Sequence, residues 1–145
     1  MKDDASGIEI RRVKSGDEAL FDRIADDVFD DPIDPKTLVE YLAEPNHYFI
    51  VALHDGAVIG QCAAAVHKHP DLRPTELYID EVAVAPPYRR QGIARRMLDA
   101  MFALGKALGC EEVWVGTEPD NMAARNLYAS RSEAAEEFIM YEFKL

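Results

Sequence analysis

Two acidic residues inside an apolar segment are the first candidates for chemistry in this 145-residue chain. Asp80 and Glu81 interrupt Glu76–Val84, ELYIDEVAV, which otherwise has the composition of a buried strand. Because burial raises the pKa of a carboxylate towards neutrality, Glu81 is the candidate general base. Binding a substrate ammonium without removing its proton is the alternative. Side chains alternate along a strand, so Asp80 is expected on the opposite face unless the strand bulges.

A short basic loop follows this segment and leads directly into an amphipathic helix pattern. The first N–H groups of a helix have no partner within it, and its dipole places about half a positive charge there. Small residues let an anion approach these groups, and arginines add full charges. The pattern predicts a pyrophosphate site; a charged helix start without a ligand is the alternative. The residues concerned are Arg89, Arg90, Gln91, Gly92, Ile93, Ala94 and Arg95.

The loop and helix start resemble the central signature of the GNAT superfamily of acyl-CoA-dependent N-acetyltransferases, Arg/Gln-x-x-Gly-x-Gly/Ala after a strand. Arg89, Gly92 and Ala94 match it. Within the superfamily, the chain most resembles the small aminoglycoside 3-N-acetyltransferases, through IDEVAV followed by RRQGIA, the approach from Lys68 to Pro74 and the ending EEFIMYEF. A second segment, NMAARNLY, also resembles the superfamily, which uses the same spacing after its fifth strand. The matching residues are Asn121, Ala124, Leu127 and Tyr128.

The resemblance implies acetyl-CoA as cofactor and direct transfer of its acetyl group to a primary amine of a small cationic acceptor, aminoglycoside-like or polyamine-like. It implies Tyr128 as the acid for the departing thiolate, with a core tyrosine as the alternative. Asn121 and Ala124 are expected in the cofactor site. The backbones of Val82, Ala83 and Val84 are expected to pair with the pantetheine amides, and a homodimer is expected as well. A protein or peptide N-acetyltransferase and a non-catalytic acyl-CoA-binding regulatory domain remain the alternatives.

Residues elsewhere in the chain are candidates for binding the acceptor. Asp30 and Asp31 belong to an acidic cluster that suits a polycation, although a solvated helix end is the alternative. His69, with His67, lies in the loop before the central strand and is either a substrate contact or an exposed loop residue. Asp80 completes the set of substrate-binding candidates.

Composition excludes several classes of function. A formal net charge of −11 opposes nucleic-acid binding and favours cationic partners. No apolar run reaches the roughly 20 residues that a membrane span needs, and the polar N-terminus lacks the apolar core of a signal peptide, so a cytoplasmic protein is expected. Cys62 and Cys110 are expected to be buried, reduced thiols. Cysteine and histidine do not cluster at metal-ligand spacing, and no metal is expected.

The pattern of elements predicts an α/β (α+β) fold, in which a mixed, mostly antiparallel sheet of about six to seven strands is flanked by about four helices. Residues 1–7 are expected to be a flexible lead and residues 8–145 a single domain. Trp114, between valines, is expected in the core. Strands are predicted at residues 8–13, 48–54, 57–66, 76–84, 112–116 and 136–143, and helices from a capping box at Ser15–Glu18 and at residues 37–43, 91–108 and 121–130.

Overall fold

Five strands form a single sheet in a computed structural model that describes residues 7–132 and 134–145. They lie in the order of the chain; β1 to β4 are antiparallel and β5 runs parallel to β4. The predicted mixed, mostly antiparallel class is confirmed, although the described residues form five strands rather than six to seven. The strands are β1 (Ile8–Val13), β2 (His47–His54), β3 (Ala57–His67), β4 (Glu76–Val84) and β5 (Glu112–Val115).

Three α-helices, where about four were predicted, complete the described fold: α1 (Pro35–Ala43), α2 (Ile93–Ala107) and α3 (Met122–Ala129). Strand alternation gives the sheet two apolar faces. On one face, Met97 and Met101 of α2 are fully buried in the cluster that contains Leu77 of β4. On the other face, Phe21 and Leu38 belong to a second cluster. Strand β4 therefore contributes apolar side chains to the packed core, whereas its acidic residues Asp80 and Glu81 are exposed.

The first predicted helix is wrong. Only Glu18–Asp22 forms a short 3-10 helix, and the chain then runs beside β3, where the Ala25 N–H donates to the Val58 carbonyl. The Ser15 hydroxyl donates to the Leu42 carbonyl instead of capping a helix. Pairing with the sheet supplies the backbone hydrogen bonds that the helix would have provided, so tertiary contact overrides the local helical pattern.

Helix α1 begins two residues before its predicted start. Asp34 is the N-cap, and its Oδ2 accepts hydrogen bonds from the Thr37 N–H at 2.9 Å and the Thr37 hydroxyl at 2.8 Å. Pro35 occupies the first helical position, where its missing N–H costs nothing. These hydrogen bonds hold the pKa of Asp34 below its usual range.

The predicted last strand is absent from the described residues, since 134–145 have no regular secondary structure. Strand β5 therefore pairs only with β4 among the described strands, and Trp114 is 46% exposed instead of buried in the core. Within the residues described, none of the helices is both long and apolar enough to span a bilayer. Large apolar side chains of the C-terminal segment are exposed: Phe138, Ile139, Met140, Tyr141, Phe143 and Leu145.

Candidate active site

A β-bulge in β4 separates the two candidate carboxylates. Ala63 of β3 lies opposite Glu81, whereas Ala64 lies opposite Ile79, so Asp80 is the extra residue. The bulge interrupts the alternation of side chains between Asp80 and Glu81. The two side chains are therefore no longer required to lie on opposite faces of the sheet. Both carboxylates are exposed. The burial predicted for Glu81 is therefore wrong.

A buried glutamine fixes the Glu81 carboxylate. Gln61 of β3 is fully buried, and its Nε2 donates to Glu81 Oε1 at 2.6 Å and to the Val28 carbonyl at 3.3 Å. Its Oε1 is buried and has no hydrogen-bond partner within the described structure. One oxygen of Glu81 is thus held from inside the sheet, which leaves the other for a substrate. The sequence analysis missed Gln61, although a polar residue inside the apolar run of β3 is the same signal that identified Glu81.

A tyrosine that sequence reasoning also missed lies close to these carboxylates. Burial, and then the negative charges of Asp80 and Glu81, raise the pKa of Tyr41 to about 12. Tyr41 belongs to α1 and packs edge-on against Phe49, with ring centroids 5.4 Å apart. Its phenol therefore keeps its proton at neutral pH. No local pattern marked it, because its role depends on how α1 docks on the sheet.

The acidic loop before α1 is connected to Glu81. Asp30 and Asp31 are exposed and line a cleft of about 300 Å³ together with apolar residues such as Phe29. Val28 lies two residues before Asp30, and its carbonyl accepts a hydrogen bond from the same Gln61 Nε2 that donates to Glu81. The structure therefore brings the predicted acidic cluster and the predicted base to one side of the sheet.

His69 does not lie near Glu81 and the acidic loop. Its Nε2 lies 3.1 Å from Oε1 of Glu76, at the other end of β4. Glu76 is five residues from Glu81, about 16 Å along an extended strand. The side chain of His69 is 9% exposed, so it is not the open loop residue that the sequence allowed as an alternative.

The turn that is predicted to bind an anion lies at the start of α2. Gly92 is the N-cap in the left-handed conformation, with φ 78°, so the helix begins at Ile93 rather than at Gln91. The Arg96 N–H makes the first intrahelical bond, to the Gly92 carbonyl, and the preceding N–H groups have no partner within the helix. A Cβ at Gly92 would meet nothing within 4 Å. The open turn can therefore admit an anion.

Three exposed arginines surround this turn: Arg89, Arg90 and Arg95. The Arg89 Nε donates to the Val84 carbonyl at 2.9 Å, which ties the loop to the end of β4. Arg90 has a positive φ of 62°, a conformation that is uncommon outside glycine. Among the remaining predicted cofactor contacts, Gln91 is exposed, Ala94 is half-buried and Ile93 is buried, so Ile93 offers only its backbone N–H.

Strands β4 and β5 pair over only half the length of β4. Their register ends at Ile79 opposite Val115, so β5 does not pair with Val82, Ala83 or Val84. Within the described residues, this edge of β4 carries no other strand. A free strand edge beside a helix N-terminus can accept an extended ligand through backbone hydrogen bonds.

Helix α3 places the predicted acid and the second cofactor element. Asn121 is its N-cap, and Asn121 Oδ1 accepts a hydrogen bond from the Ala124 N–H at 3.1 Å. Tyr128 is half-buried and packs against the core cluster of α2. Burial, with a smaller contribution from Cys62, raises the pKa of Tyr128. The phenol is therefore protonated at neutral pH, as a general acid must be.

The cysteines offer no thiolate at neutral pH. Burial raises the pKa of Cys62 to about 12, with Asp80 adding to the effect. Cys110 is partly exposed rather than buried, and desolvation raises its pKa as well. Both are free thiols, as predicted. A covalent route through cysteine needs a thiolate, so this arrangement favours direct transfer.

Comparison with known proteins identifies the family of this chain. A model of the acetyltransferase (GNAT) family matches residues 18–132. N-alpha-acetyltransferase 30 of Schizosaccharomyces pombe is 38% identical over 88 residues, 61% of this chain and 52% of that protein. Aminoglycoside N(6')-acetyltransferase type 1 of Salmonella typhimurium is 27% identical over 96 residues, 63% of this chain and 66% of that protein. The chain thus spans about half to two thirds of these curated relatives.

Solved structures match over nearly the whole chain. An aminoglycoside acetyltransferase from an uncultured soil metagenomic sample, in complex with trehalose, has a TM-score of 0.80 at 25% identity, covering 96% of this chain and 97% of that one. The aminoglycoside N-acetyltransferase AAC(6')-Iy in complex with CoA has a TM-score of 0.74 at 18% identity, covering 95% of each chain. The predicted likeness to aminoglycoside acetyltransferases is confirmed, although the Salmonella enzyme and AAC(6')-Iy are named as 6' enzymes rather than as the expected 3-N-acetyltransferases.

Proposed function

The chain belongs to the acetyltransferase (GNAT) family, and we propose that it transfers an acetyl group from acetyl-CoA directly to a primary amine of a small, multiply charged cation. The observation that carries the proposal is the exposed Glu81 carboxylate, fixed by Gln61 and linked through it to the loop of Asp30 and Asp31. A base and a cluster of anions on one side of the sheet suit an acceptor that carries several ammonium groups.

The residues present fit acetyl-CoA. The open turn at Gly92 and the arginines around it suit a pyrophosphate, and the free edge of β4 at Val82, Ala83 and Val84 suits the amides of a pantetheine arm. Asn121 and Ala124 lie at the start of the helix that carries Tyr128. When bound, acetyl-CoA supplies the acetyl group as an activated thioester.

In the proposed reaction, the chain moves two protons. An alkyl ammonium with a pKa of about 10 has no free lone pair near pH 7, so Glu81 takes one of its protons before the nitrogen attacks. Backbone N–H groups of the bulged part of β4 are suited to hold the thioester oxygen as it becomes negative. Tyr128 would then give its proton to the departing thiolate, and the phenolate would regain a proton from the nitrogen, which loses its second proton as the amide forms. Asp30, Asp31 and Asp80 hold the remaining ammonium groups of the acceptor.

The test is thiol release from acetyl-CoA with a panel of amines, followed by the mass of the product. Aminoglycosides and polyamines are expected to be acetylated, each product gaining one acetyl group. Turnover with peptide N-termini alone would instead favour the protein N-acetyltransferase, the alternative that the relative from Schizosaccharomyces pombe supports. Tight acetyl-CoA binding without turnover on any amine would leave a regulatory acyl-CoA-binding domain and would overturn the proposal.

Tyr128→Phe is expected to lower kcat by about 10²-fold while acetyl-CoA affinity changes little, because only the proton donor is lost. Stopped-flow thiol release and calorimetric titration with acetyl-CoA measure the two effects separately. Tyr48→Phe is the matched control, since Tyr48 is also half-buried but lies on β2 beneath Arg12. An unchanged kcat in Tyr128→Phe would remove the acid role.

The proposed function also bears on location and assembly. We propose a cytoplasmic enzyme, because acetyl-CoA is a cytoplasmic metabolite. We propose a homodimer because the exposed apolar side chains of the C-terminal segment, such as Phe138 and Ile139, would be covered by a second copy. Light scattering of the wild type and of a Phe138→Ser, Ile139→Ser double variant tests the assembly.

A further inference from the structure

Three potential metal ligands converge at the end of the sheet opposite the anion site. His67 ends β3 and lies directly opposite Glu76, the first residue of β4, and His69 reaches back from the connecting loop. Oε1 of Glu76 lies 3.1 Å from His69 Nε2 and 3.6 Å from His67 Nδ1. The three ligand atoms lie within 4.8 Å of one another.

These separations suit a tetrahedral ion. Bonds of about 2.0–2.1 Å place the ligand atoms of a tetrahedral zinc site about 3.3–3.4 Å apart. The two nitrogen-to-oxygen distances at Glu76 fall on either side of that value. His67 is 64% exposed, so its ring can turn towards an ion without disturbing the core. His69 and Glu76 are 9% and 19% exposed and are already held in place.

We propose that His67, His69 and Glu76 form a binding site for a divalent transition-metal ion, with zinc as the best match. Two imidazoles favour zinc over calcium or magnesium, which prefer oxygen ligands. Three protein ligands leave a fourth position, and the exposure of His67 opens that position to solvent. The bound ion clamps the loop between β3 and β4 onto the sheet, because His69 belongs to the loop and Glu76 to β4.

This site was not expected from the sequence. His67 and His69 provide only two ligands, and the third comes from across the β3–β4 pair. Cys110 is the competing ligand to exclude, since its thiol is free and partly exposed. The site is independent of the proposed transferase activity, because none of its three ligands takes part in the proposed proton transfers.

The experiment is calorimetric titration of the EDTA-treated, dialysed full chain with zinc chloride, and visible absorption after titration with cobalt(II). One ion per chain is expected, with the absorption of tetrahedral cobalt. His67→Asn and Glu76→Gln are each expected to weaken zinc binding by about tenfold or more. His47→Asn is the matched control, because His47 is an exposed histidine on β2 outside the cluster.

Several results would overturn the proposal. Zinc binding that survives in a His67→Asn, His69→Asn double variant, or that His47→Asn weakens equally, would place the ion elsewhere. Loss of binding in Cys110→Ser would assign it to the thiol. Absence of zinc binding to the folded wild-type chain would remove the site altogether. Circular dichroism of each variant establishes that it is folded, and His67→Asn changes only an exposed side chain.

Discussion

Glu81→Gln is expected to lower kcat/KM by about 10²- to 10⁴-fold at pH 7, the usual contribution of a general base. The amide retains the shape of the side chain and its hydrogen bond to Gln61 but cannot accept the proton of an ammonium. The variant then depends on acceptor that is already deprotonated, about one molecule in 10³ at pH 7 for a pKa of about 10. That fraction rises about tenfold per pH unit, so the loss should shrink towards pH 10.

Steady-state kinetics between pH 6 and pH 10 measure this loss. Asp80→Asn is the matched control, since Asp80 is the neighbouring exposed carboxylate and forms the bulge. We expect it to raise KM for a polycationic acceptor more than it lowers kcat. If Asp80→Asn shows the large loss and the steep pH dependence while Glu81→Gln does not, the two carboxylates exchange roles. Wild-type rates in both variants would exclude a carboxylate base on β4.

Gly92→Val is expected to weaken acetyl-CoA binding by about 10²-fold. A valine would be strained at φ 78° and would fill the open space at the start of α2. The loss of two hydrogen bonds to a charged phosphate, at about 1.5 kcal/mol each, corresponds to about 10²-fold in affinity. Calorimetric titration with acetyl-CoA and with free CoA measures the effect, which should be the same for both ligands.

Gly109→Val is the control for the backbone strain that a valine causes at a positive φ, because it adds that strain away from the proposed anion site. Gly109 follows the other end of α2, has a φ of 87°, and a Cβ there would also meet nothing within 4 Å. Both variants are expected to lose stability by about 1–3 kcal/mol, measurable by urea unfolding. Only Gly92→Val should lose acetyl-CoA affinity. Equal affinities in the two variants would show that the pyrophosphate does not bind at this turn.

Local patterns predicted the elements that carry the candidate site. The apolar composition of β4, the small residues at the start of α2 and the helix predicted from Asn121 each depend on neighbours within a few residues. All lie where the sequence predicted, with helix ends shifted by one or two residues. The first segment failed because its hydrogen bonds go to Val58 of β3, more than 30 residues away. A local helical pattern carries no information about a hydrogen-bond partner so far away in the sequence.

The sequence by itself determined the family resemblance, the helix start that carries the candidate anion site at Gly92 and the candidate base Glu81, because short-range spacing and residue size encode them. Only the tertiary structure decided the exposure of Glu81, its hydrogen bond to Gln61, the approach of Tyr41 and the convergence of His67 and His69 on Glu76. Each of these depends on the register between β3 and β4 or on the docking of α1. A shift of one residue in strand pairing would turn these side chains to the other face, and the register is set by packing of the whole sheet.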